Sequence, residues 1–166
     1  MSIKRLAKLW VWIPVLFLLV LIFNFSGTDG VQSNTLSVSL TDRLVNVFVA
    51  VPFLDFNSGQ EQISLNILNL LVRKLGHFTE YAALAFALAF ALYRYHMNKG
   101  RLILISMAFG FFYACTDEIH QLFVPLRSGR FTDVLIDSLG MFFGILFFYS
   151  IINIYQRIKP GKWETK

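Results

Sequence analysis

The sequence predicts an all-α integral membrane protein, with four transmembrane helices and an extracytoplasmic interfacial or re-entrant segment between helices one and two. Three observations predict it. Of 166 residues, 56% are hydrophobic and only 15% charged, and the mean hydropathy is +0.60, which is more apolar than a soluble domain of this size. Four runs approach the ~20 residues needed to cross ~30 Å of hydrocarbon. Basic residues stand beside the ends of those runs, where they fix orientation. The length suits one domain, 1–166. The net charge of +5 therefore reads as topology, and the expected partner is a lipid bilayer, with no nucleic acid.

The first span is "LWVWIPVLFLLVLIFNF", residues 9–25. It follows Lys4, Arg5 and Lys8, but it is long for a signal peptide and no small-x-small cleavage site follows Phe25, so it is a retained anchor. Residues 27–42 are rich in Gly, Ser, Thr, Asp and Asn and read as a loop. "RLVNVFVAVPFLDF", 43–56, is too short to span and contains Pro52; it reads as the re-entrant or interfacial segment. In residues 61–77, Ile63, Ile67, Leu70, Leu71 and Leu75 share a helical face, as in an interfacial helix leading into span two. The remaining spans are 75–93, 102–124 and 132–155. Cys115 is the single cysteine and excludes an internal disulfide.

With a cytoplasmic N-terminus, Lys4, Arg5, Lys8, Arg94, Lys99, Arg101, Arg157, Lys159, Lys162 and Lys166 lie inside, against Arg43, Arg73, Lys74, Arg127 and Arg130 outside. That asymmetry places both termini in the cytoplasm. Spans two and four then start at the outer face, and span three ends there.

Ionisable residues from three spans consequently fall at one depth. His77, Glu80 and Tyr81 open span two, spaced i, i+3, i+4 on one face. Asp117, His120 and Gln121 close span three with the same spacing, while Glu118 is rotated about 100° from Asp117. Asp133 and Asp137 open span four, and their stripe continues through Gly140 and Gly144, a small-xxx-small seam for a neighbouring helix. Turning these groups to lipid would cost several kcal/mol each. They are expected to face one another in an outward-facing polar pocket.

The blocks "RKLGHFTEYAALAF" and "TDEIHQLFVPLRSGRFTDVLIDSLG" resemble the VanZ-like family of bacterial membrane proteins, over roughly residues 73–146. The matching positions are Lys74, His77, Phe78, Glu80, Tyr81, Asp117, Glu118, His120, Gln121, Pro125, Arg127, Asp133 and Gly140. One departure is Leu126, where the family commonly has glycine. The resemblance implies a multi-pass protein of the bacterial cytoplasmic membrane with a cell-envelope role. The family takes its name from a protein linked to resistance against teicoplanin, a lipoglycopeptide that targets cell-wall precursors.

Three chemistries fit these residues. A hydrolase or transferase could gather one divalent metal ion on His77, Glu80, Asp117, His120 and Asp133, as bundle metalloproteins do, or use His77 or His120 as a general base. In this reading the catalytic set is His77, Glu80, Asp117, Glu118, His120 and Asp133. A binding or transport module would use Lys74, Arg127 and Arg130 on a lipid-linked or anionic envelope ligand, with Tyr81, Gln121 and Asp137 lining the site. A structural salt-bridge network is the third.

Overall fold

The computed structural model of the chain describes residues 9–28, 35, 37–43 and 61–158. Among these there is no strand; four helices build the architecture, beside a further helical stretch at 37–43. A 3-10 turn, Trp10–Trp12, leads into α1, Ile13–Ser26. Pro14 stands in the first turn, where a missing N–H costs no helical bond. The others are α2, Glu61–Tyr93; α3, Lys99–Gln121; and α4, Phe131–Ile158. Asn98 starts α3 by accepting a hydrogen bond from the Arg101 backbone N–H at 2.8 Å.

The most extensive pairing is α2 with α4. A Cβ placed on Gly140 would lie 2.3 Å from the Phe78 carbonyl oxygen, and one on Gly144 would lie 2.1 Å from that of Ala82. Both contacts advance four residues together, so the two helices run parallel with their backbones nearly touching. This is the seam that the Gly140–Gly144 spacing predicts. On the other side of α4, Met141 fills the space left by Gly110 of α3.

The interior is made of small residues and the exterior of large ones. Ala85, Ala89 and Ala91 are fully buried, while Leu104, Phe112 and Phe147 are all more than half exposed. A soluble protein would not leave such a surface to water. Three helical stretches, Ile67–Tyr93, Lys99–Gln121 and Phe131–Ile158, are long and apolar enough to cross a bilayer; Trp10–Ser26 is apolar but shorter. The chain is a helical membrane protein.

Two expectations change. Residues 37–42, read as part of a loop, are helical, and the helix includes 43. Ser37 and Thr41, one turn apart, are both buried, and tertiary burial outweighs the weak local preference of Ser and Thr. The helix read over 61–77 runs into span two as expected, as one continuous helix Glu61–Tyr93; Gly76 is helical, and a Cβ added there would meet nothing within 4 Å. Span three ends at Gln121 rather than 124, because Pro125 disfavours helical backbone in the residue before it. The re-entrant segment read over 43–56 lies outside the described residues from 44 onward.

Candidate functional site

The start of the apolar part of α2, the end of α3 and the start of α4 meet at one end of the bundle. The Lys74 Nζ donates to Asp133 Oδ1 at 2.5 Å, tying α2 to α4 at the rim. One turn deeper, His77 Nδ1 lies 3.7 Å from Asp137 Oδ1. Asp137 is 0% exposed, and among the described residues neither of its oxygens has a hydrogen-bond partner. Tyr81, four residues after His77, is likewise 0% exposed, with no partner for its hydroxyl among the described residues. Its ring packs 6.2 Å from that of Tyr113 on α3.

From α3, Asp117, Glu118 and Gln121 are all buried. Gln121 Nε2 donates to Asp117 Oδ2 at 3.2 Å. Glu118, despite its angular offset, accepts from the Arg130 backbone N–H at 2.6 Å through Oε2, so it braces the loop into α4. The carboxyl groups sense one another: Asp137 lies within electrostatic reach of Asp117, Glu118, Asp133 and Glu80. Glu80 lies within reach of Asp117 and Arg127.

Two predicted residues turn toward α1 instead. The His120 ring stacks on Phe23, with centroids 4.5 Å apart and planes 9° off parallel. Arg127 donates through Nη2 to the Phe25 carbonyl at 3.2 Å and to Thr28 Oγ1 at 3.3 Å, joining the Thr28 hydroxyl that also donates to that carbonyl at the C-terminal end of α1. Burial lowers the guanidinium's hold on its proton and Arg73 adds to this, while Asp117, Glu118 and Glu80 act the other way; an arginine stays cationic through such a shift.

Ser26 was not singled out by the sequence. It is buried beside Asp117, near enough to act on its carboxylate but short of a well-formed hydrogen bond. Its signal was faint: a hydroxyl closing an apolar run. Tyr113, one turn before Asp117, donates its OH to the Leu19 carbonyl at 2.7 Å and clamps α1.

Among the described residues no group of three or more His, Cys, Asp and Glu side chains is placed to hold a metal ion. The donors are spread along three helices, with Asp133 on Lys74 and His120 on Phe23. Two apolar clefts lie deeper. One, of about 640 Å³, is bounded by Leu18, Ala83, Ala87 and Phe147. The other, of about 490 Å³, runs between Phe90, Arg94, Ile152 and Gln156.

A multi-pass helical membrane protein with an acid-rich cluster buried between three spans is the class that this fold and site define. Within it, the VanZ/LLP1 family model matches residues 11–153, and the chain belongs to that family, whose membrane proteins are linked to glycopeptide resistance. No curated protein and no solved structure matches it.

Proposed function

We propose that this protein binds a lipid-linked or peptidoglycan-related molecule of the bacterial envelope, its polar part entering the cluster from the outer face, in a four-span arrangement with both termini cytoplasmic. The observation that carries the reading is Asp137. A fully buried carboxyl group with no hydrogen-bond partner among the described residues is costly in a membrane interior unless something else engages it. His77 Nδ1, 3.7 Å from Asp137 Oδ1, and Tyr81 OH are also buried without hydrogen-bond partners among the described residues and lie on the same side of α2. Lys74 and Arg127 are already engaged, by Asp133 and by α1, which weighs against a clamp built from them.

The His77–Asp137 pair favours one alternative. A carboxylate that orients an imidazole is the arrangement of a general base, so the same residues would suit hydrolysis or transfer on the bound molecule. Conversion of the ligand, rather than its retention, separates the two.

The test is Asp137→Asn together with Tyr81→Phe, each nearly isosteric. Both should accumulate and melt as the parent does, while resistance to teicoplanin falls to the level of cells lacking the protein. A variant that keeps full resistance removes the cluster from the function. A variant that unfolds, rescued by His77→Gln with Asp137→Asn, assigns the cluster to scaffolding.

A further inference from the structure

The charge balance of the cluster names the kind of group it receives. Lys74 neutralises Asp133 at the rim. Behind that pair stand Glu80, Asp117, Glu118 and Asp137. The cations that reach them are Arg127, whose guanidinium donates to α1, and His77 and His120 if protonated, the latter within reach of Asp117. Among the described residues, acids outnumber cations even then. Carboxyl groups held this close in a medium of low dielectric cannot all be ionised without strong repulsion, which bound protons or a bound cation would relieve. A bound cation relieves that repulsion; a bound anion would add to it.

A second, independent observation points the same way. The Tyr81 hydroxyl is 0% exposed, has no hydrogen-bond partner among the described residues, and lies within electrostatic reach of Asp117, Asp137 and Glu118. A phenol oxygen accepts from an N–H donor. The Tyr81 and Tyr113 rings, 6.2 Å apart and tilted by 46°, offer aromatic surface of the kind that attracts cations.

Resting on the reading that a lipid-linked molecule enters this cluster, we infer that the part it recognises is an ammonium group, held by Asp137 and Asp117, hydrogen-bonded to Tyr81 and flanked by the two tyrosine rings. The small size of an ammonium on a flexible tether suits a site whose carboxylates are sunk one to two helical turns below the Lys74–Asp133 rim.

Purified protein in detergent micelles is offered phosphatidylethanolamine, its N-acetylated form, or phosphatidylglycerol, all with the same chains, and the retained lipid is measured by native mass spectrometry. The three share phosphate and tails, so the comparison isolates the ammonium. The expected result is at least tenfold better retention of phosphatidylethanolamine than of either competitor. Asp137→Asn and Tyr81→Phe should narrow that ratio to under threefold. Equal retention of all three lipids, sensitive to Asp137→Asn, overturns the ammonium assignment and leaves the lipid-ligand reading standing. Retention that none of these changes affects overturns both. The comparison on the unaltered protein decides alone if a variant does not fold.

Discussion

The close approach of α2 and α4 can be tested by adding one methyl group at a time. At Gly140 a Cβ would sit 2.3 Å from the Phe78 carbonyl oxygen. Ordinary contacts begin near ~3.5 Å, so Gly140→Ala must part the two backbones by about 1 Å. No rotamer change relieves this, because the obstacle is backbone. Overpacking of this kind costs about 3 kcal/mol, the upper end of its usual range, against a gain of about 1 kcal/mol in helix propensity. The expected net loss is therefore about 2 kcal/mol. Three other glycines calibrate it. At Gly144 the obstacle is again backbone, at 2.1 Å, so Gly144→Ala should be at least as harmful. At Gly110 the obstacle is the Met141 side chain, which can swing aside, so the loss should be smaller. At Gly76 nothing lies within 4 Å, and Gly76→Ala should stabilise by about 1 kcal/mol. Thermal unfolding in detergent micelles reads the order. If Gly140→Ala melts with or above Gly76→Ala, the backbones do not touch and the argument for the seam is wrong.

Leu126 adopts φ +60 and is 80% exposed, so it carries left-handed strain with little packing to compensate. Leu126→Gly should raise stability by up to about 1 kcal/mol, and a lower melting temperature would contradict the strain. For Lys74 and Asp133, both partly exposed, a double-mutant cycle with Lys74→Met and Asp133→Asn should give a coupling of about 1 kcal/mol, since solvent screens the pair; zero coupling would reduce their contact to coincidence. In a Cys115→Ser background, a cysteine at Ser128 should react with an impermeant thiol reagent on intact cells and one at Lys99 should not. Strong labelling at Lys99 would reverse the orientation.

What could be read from the sequence was whatever lies within one helix. The i, i+4 spacing of Asp133 and Asp137 leads into Gly140 and Gly144, and that stripe is the one packed on α2. The resemblance marked Leu126 as a departure from glycine, and its positive φ gives the reason glycine suits that turn. What could not be read were partners distant in the chain. Arg127 has the sequence signature of a headgroup ligand, yet its hydrogen bond goes to a carbonyl 102 positions earlier. His120 shares a helical face with Asp117, but its ring settles on Phe23. Periodicity shows which face a side chain occupies; it does not name the neighbour waiting there. The helix at 37–43 was missed for a related reason, since local preferences of Ser and Thr say nothing about burial.

The grip of α3 and its following loop on α1 also sets an order of assembly. Tyr113, His120 and Arg127 all reach back to residues 19–28. At ribosomal rates of about 5–20 residues per second, Arg127 is made roughly 5–20 s after Phe25, its acceptor. Through that interval the C-terminal end of α1 lacks the hydrogen bonds from the loop, and Asp117 and Glu118 are made before Asp137. The nascent protein therefore passes through a stage in which the acidic side chains of α3 lack their neighbours on α4. That stage, rather than the finished fold, is where substitutions at Tyr113 and Arg127 would first reduce the yield of protein.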